Sequence, residues 1–132
     1  LEAADLQVEV TRIRHLGKPI YVRVYQVLPE KMDQKDWPQA ATFEMKFIPT
    51  KKTSTLEFKS VNKGVYFISL YQDLNNNEML DKTKKGLPRE PYALSNNPIP
   101  YHAPKLSEMT FEVNAESTAI SIFIRERRNR KR

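Results

Sequence analysis

The sequence predicts an all-β fold, an antiparallel β-sandwich of about seven strands with one long loop after the central strand. Two observations carry the prediction. Apolar residues recur at every second position in seven segments, and those segments are separated by Gly, Pro, Asn, Asp and Ser clusters that suit turns. A third observation is negative: helical periodicity is scant, and no repeat of solenoid length is present. A small β-barrel is the alternative architecture.

Leu6, Val8 and Val10 alternate with Gln7, Glu9 and Thr11, a half-buried strand, after which His15 to Pro19 turns the chain. Over Ile20 to Leu28 the inward set is Ile20, Val22 and Val24 against Tyr21, Arg23 and Tyr25, so these two strands are expected to form an antiparallel hairpin. Pro29 closes the second strand. The polar stretch Glu30 to Ala41 suits a surface loop with a helical turn, in which Trp37 lids the edge of the core. Phe43, Met45 and Phe47 alternate with Thr42, Glu44 and Lys46, and the polar turn Pro49 to Ser54 leads to Leu56 and Phe58 in a second expected hairpin.

The central strand is Val65 to Tyr71. Tyr66, Ile68 and Leu70 share one face, while Val65, Phe67 and Tyr71 share the other with Ser69, so both faces are largely apolar and neither suits an edge. Gly64 is expected to supply a positive φ in the tight connection Asn62-Lys63-Gly64. Near the end of the chain, Met109, Phe111 and Val113 alternate with Thr110 and Glu112, and Ile120, Ile122 and Ile124 alternate with Ser121 and Phe123. Asn114 to Ser117 joins these as a third expected hairpin. The expected core is Val22, Phe47, Tyr66, Ile68, Leu70 and Ile122.

Beyond Tyr71 the pattern changes from alternating apolar to alternating oxygen. Asp73, Asn75 and Asn77, with the Met79 carbonyl and then Asp81, place oxygen ligands on every second residue, the arrangement in which a flexible loop wraps Ca²⁺. Lys84 stands where a twelfth-position carboxylate would complete such a loop, so Glu90 is the candidate to fold back and supply it. An affinity on the order of 10⁻⁴ to 10⁻³ M is expected. The other reading is a loop without an ion, in which Asp73, Asn75 and Asn77 bond their own backbone.

The same residues carry a resemblance. Asp73, Asn75, Asn77, Leu80 and Asp81, then Gly86, Pro88, Glu90, Tyr92, Ser95 and Asn96, are spaced as in the bacterial secreted family called domain of unknown function 2141. Its pattern is D-x-N-x-N-G-x-L-D followed by G-x-P-x-E-x-aromatic-G-x-S-N; this chain departs from it at Glu78 and Ala93, where the family usually has glycine. The entry Phe58-x-x-Val61-x-x-Gly64 resembles that of prealbumin-like sandwiches. The resemblance implies an immunoglobulin- or prealbumin-like sandwich and a structural loop through Gly86, Pro88, Tyr92, Ser95 and Asn96. It also implies a periplasmic or extracellular protein, with a signal peptide removed ahead of Leu1. Prolines 88, 91, 98, 100 and 104 bar a central strand from Leu87 to Pro104, which is expected to be an extended crossover.

Composition bounds the rest. A chain of 132 residues is one domain and buries roughly two-thirds of its unfolded surface without disulfides, which the absence of cysteine rules out. No apolar run approaches membrane-spanning length. The net charge of +6 is concentrated at one place: Arg125 to Arg132 holds six of the 22 Lys and Arg and one of the 16 acidic residues, leaving the remainder at +1. The expected division is therefore a sandwich over residues 1–124 and a basic, disordered tail over 125–132. Nucleic acid or another polyanion would bind only through that tail, by Arg125, Arg127, Arg128, Arg130, Lys131 and Arg132.

Catalytic patterns are scarce. His15 and His102 lack ligand-spaced partners, Ser95 lacks a glycine-flanked elbow, and the glycines stand alone, so no enzyme is expected. The function classes left are a calcium-stabilised extracytoplasmic module with a structural or interaction role, a small-ligand or carbohydrate-binding sandwich using Trp37, Tyr92 or Tyr101, and a polyanion binder acting through its tail. No particular partner follows from the sequence.

Overall fold

Strands that alternate apolar and polar residues must bury one face, and here two sheets bury theirs against each other. The computed structural model describes residues 3–78, 90–99 and 103–126. Among these, eight strands follow in the order β1 (Ala3–Thr11), β2 (Ile20–Gln26), β3 (Phe43–Phe47), β4 (Ser54–Asn62), β5 (Gly64–Gln72), β6 (Tyr92–Leu94), β7 (Phe111–Val113) and β8 (Ser117–Phe123). Short 3₁₀ turns lie at Pro29–Lys31 and Leu106–Glu108. One sheet has the order β4-β1-β8, and the other β3-β2-β5-β6 with β7 also on β5. This is the expected all-β sandwich.

The pairing differs from the sequence reading at three places. β1 and β2 do not form a hairpin: β1 pairs with β4 and β8, whereas β2 pairs with β3 and β5 in the opposite sheet. β3 and β4 likewise lie in different sheets, as do β7 and β8. The physical reason is that alternation says which residues point inward but not from which side they do so. Each of these connections arches over the core, and β1 and β8 end up parallel, Val8 opposite Ile120 and Val10 opposite Ile122.

β5 is central, with β2 along one edge and β6 and β7 sharing the other. Its inward residues Tyr66, Ile68 and Leu70 enter the main core with Leu6, Val8, Val10, Val22, Val24 and Ile122. Its outward Phe67 anchors a second cluster with Tyr25, Val27, Leu106 and Met109. Trp37 closes that cluster, its ring 5.3 Å from Phe67 and 5.7 Å from Tyr25, both edge-on, while 42% of it remains exposed. Phe47, expected in the core, is only half-buried because β3 is an edge strand.

Three local features have specific causes. The Phe58-x-x-Val61 spacing comes from a bulge: the register passes from Leu6 opposite Phe58 to Ala4 opposite Val61, and Ser60 takes φ 59 to fit the extra residue. Gly64 opens β5 without the positive φ expected of it; separately, Gly17 in the β1–β2 connection takes φ 86. What a side chain at Gly64 would meet is Gln26 Nε2, 2.9 Å from an added Cβ. β6 is the strand missing from the sequence reading. It spans Tyr92–Leu94 in the proline-rich stretch and pairs with β5 at the sheet margin, where flanking prolines are tolerated.

Candidate functional site

Parity along β5 sends one polar side chain inward. Gln72 follows Tyr66, Ile68 and Leu70 on the core face and is fully buried. Its Nε2 donates to the carbonyls of His15 at 2.6 Å and Lys18 at 2.9 Å, holding down the β1–β2 connection. The backbone adds two more ties, Asp73 N–H to the Pro19 carbonyl and Gln72 N–H to that of Pro91, each at 2.9 Å. Gln72 Oε1 has no hydrogen-bond partner among the described residues.

Asp73 then organises the loop. Its carboxylate is buried, with 0% exposure, and its oxygens accept from the N–H groups of Asn77 (Oδ1, 3.2 Å) and Glu78 (Oδ2, 2.7 Å). Asn75 Oδ1 accepts from the same Asn77 N–H at 3.3 Å. Residues 74–78 therefore curl around one side chain, as short polar side chains do when they satisfy their own backbone. The curl requires left-handed backbone at Asn76 (φ 59) and Glu78 (φ 60). Asparagine tolerates that conformation readily, whereas for glutamate it costs about 1–2 kcal/mol.

Glu90 comes in from the other side. It is buried, and its Oε2 accepts the Leu74 N–H at 2.7 Å, so two carboxylates hold the base of the loop. Their charge is felt nearby: burial first and the charge of Asp73 next push the Tyr71 phenol above its ordinary value, with a smaller push from Glu90. Among the described residues no group of three His, Cys, Asp or Glu side chains stands together. Among the described residues, a cation here would rely on Asp73 and Glu90 together with neutral amide and carbonyl oxygens, a donor set for a hard ion.

The remaining site residues fall into separate places. Met79, Asp81, Gly86, Pro88, Tyr101, Arg127, Arg128, Arg130, Lys131 and Arg132 lie outside the described residues. Tyr92 pairs with Tyr71 across the sheet and exchanges backbone hydrogen bonds with Arg125 at 2.9 and 2.8 Å. Ser95 is a stitch: its N–H donates to the Ile68 carbonyl, while its Oγ accepts the Ile68 N–H at 2.9 Å and donates to the Met109 carbonyl. Asn96, at φ 65, donates from Nδ2 to the Thr110 carbonyl at 2.6 Å. Asn97, which the sequence reading did not single out, accepts the Phe123 N–H through Oδ1 at 3.0 Å and so ties this turn to β8.

Two residues assigned from sequence to the tail are held by the sandwich. The Arg125 guanidinium donates to the Asn97 carbonyl at 3.2 Å and lies 4.7 Å from the Phe123 ring centroid, while Glu126 meets His15 Nε2 at 3.0 Å. Of the rings named for ligand stacking, Trp37 is itself partly packed. Trp37 packs edge-on as a lid, and beside Tyr92 the Tyr71 ring stacks on Tyr21 at 5.3 Å and 23°. Of the residues missed in the sequence, Gln72 carried a usable signal, a polar residue at an inward position of a central strand.

The sequence model of a family described as "Uncharacterized protein conserved in bacteria (DUF2141)" matches residues 8–121. No curated protein and no solved structure matches the chain.

Proposed function

The chain belongs to this uncharacterized bacterial family, and we propose that it acts as an extracytoplasmic β-sandwich module with a structural or interaction role, its end loop stabilised by weakly bound Ca²⁺. The observation that carries this reading is the wrapping of residues 74–78 around the buried Asp73 carboxylate. Each carboxylate oxygen has two acceptor sites, so accepting one N–H apiece leaves capacity for a cation. Asp73, Asn75 and Asn77 would hold the ion together with the Met79 carbonyl and Asp81, and Glu90 would add a second buried carboxylate. When bound, the ion would supply the positive charge that two buried carboxylates favour.

The loop's own hydrogen bonds limit how much an ion can add, in keeping with an affinity on the order of 10⁻⁴ to 10⁻³ M and with filling only where calcium is plentiful. The test is a pair of melting curves, one in excess EDTA and one in calcium at about ten times the dissociation constant. The parent gains about 1.4 kcal/mol from filling the site, and Asp81→Ala loses that gain. A parent that melts identically in both, or a variant that keeps the shift, leaves the loop as a hydrogen-bonded structure without a resident ion.

A further inference from the structure

The end of the sandwich that carries the Asp73 loop also gathers two exposed aliphatic side chains and several cations that form no ion pair among the described residues. Leu16 in the β1–β2 connection is 49% exposed, and Ile48 just after β3 is 59% exposed. Two backbone hydrogen bonds of 3.0 Å, Gly17 N–H to the Pro49 carbonyl and Ile13 N–H to that of Lys52, hold the two connections side by side. Neither aliphatic belongs to either core cluster.

Around them stand Arg14, Lys18, Lys51 and Lys52, all exposed. On the sheet faces Arg23 pairs with Glu44 and Lys59 with Asp5 and Glu57, at 3.4 Å each, while Lys46 lies 5.5 Å from the Tyr21 ring centroid. These four, by contrast, form no ion pair among the described residues. Arg12 adds a fifth positive charge, its guanidinium 4.2 Å from the Phe123 ring centroid. Among the described residues, the acidic groups at this end are mostly engaged: Asp73 and Glu90 are buried in the loop, Glu126 is paired with His15, and Glu78 is exposed.

Exposed aliphatic tips among cations fit a surface that is anionic outside and apolar just beneath. We propose that this end of the sandwich docks onto an anionic lipid bilayer, Leu16 and Ile48 entering the headgroup region while Arg14, Lys18, Lys51 and Lys52 meet the lipid phosphates. A nucleic acid or acidic polysaccharide would match the cations but would leave the two aliphatics without a role. The proposal rests on the geometry of this end alone and is independent of calcium.

The experiment is co-sedimentation of the full chain with vesicles of phosphatidylcholine alone and of phosphatidylcholine mixed equally with phosphatidylglycerol. The chain pellets with the mixed vesicles only, and less so as salt is raised. Lys51→Ala with Lys52→Ala weakens that binding about thirtyfold. Leu16→Ser with Ile48→Ser weakens it about tenfold, with melting unchanged because both side chains are exposed. Retention on heparin, measured in parallel, is insensitive to the Leu16 and Ile48 changes. The proposal is overturned if the mixed vesicles pull down nothing, or if the serine variant binds them like the parent, which would indicate a purely electrostatic polyanion site. It is equally overturned if removing Arg127 to Arg132 alone abolishes all binding, which would place the interaction in the tail.

Discussion

Two regions of the molecule are closed by opposite chemistry. At one, on the outer face of the β5 sheet, Trp37 lies edge-on against Tyr25 and Phe67, and Leu106 and Met109 complete an apolar plug. At the other, the closing groups are Gln72, Asp73 and Glu90, all buried and all hydrogen-bonded to backbone. An apolar plug is satisfied by packing alone and asks nothing further of its surroundings. A polar closure is directional, because each buried donor or acceptor must meet its partner. It fixes the path of the β1–β2 connection and of residues 74–78 after β5.

Breaking each closure measures the difference. Asp73→Ala strips the acceptors from two loop N–H groups and is expected to cost about 3 kcal/mol in urea unfolding, since hydrogen bonds to charged groups are worth about 1.5–3 kcal/mol each and water replaces part of the loss. Trp37→Ala in the apolar cluster is expected to cost about 2 kcal/mol, below the usual range for a fully buried Trp because much of the ring is already exposed. Gln72→Leu is expected to cost about 1–2 kcal/mol. It deprives the His15 and Lys18 carbonyls of a donor while removing an oxygen that has no partner among the described residues.

Smaller changes sharpen the comparison. Glu78→Gly is expected to stabilise the polar end by up to about 1 kcal/mol, as relief of the left-handed backbone is partly offset by glycine's extra freedom when unfolded. Alkaline titration bears on the same end. Burial and the neighbouring Asp73 raise the Tyr71 phenol, so its contribution is complete below the unfolded value of about 10 and is lost as pH rises through the higher folded value. Tyr71→Phe should therefore soften the loss of stability above pH ~10 without changing the curve near neutrality. Burial also raises Tyr66, so part of the alkaline loss remains in that variant.

How much of this is legible in the sequence depends on range. The two faces of β5 can be read directly, because Tyr66, Ile68 and Leu70 against Phe67 is a period of two and needs only local geometry. The partners of β1, β3 and β7 cannot, because an inward-pointing Val8 or Phe111 looks the same from either sheet. β6 is hidden by its length and by the prolines around it. In the site, the D-x-N-x-N spacing points to Asp73 and its loop because the bonds involved join near neighbours. The Leu74 to Glu90 contact joins residues far apart in the chain, and nothing near Asn97 marks it as the acceptor for Phe123.

The most direct measurement is amide hydrogen exchange of the full chain, in EDTA and in calcium at about ten times the dissociation constant, comparing the two regions within one molecule. Leu74, Asn77 and Glu78 donate to the polar closure, whereas Leu106 and Ser107 donate to the Gln34 and Met32 carbonyls beside the apolar plug. If calcium binds the Asp73 loop, exchange at Leu74, Asn77 and Glu78 slows about tenfold while Leu106 and Ser107, opening locally, keep their rates. Equal slowing in both regions, or none at Asn77 and Glu78, would contradict a cation site in that loop.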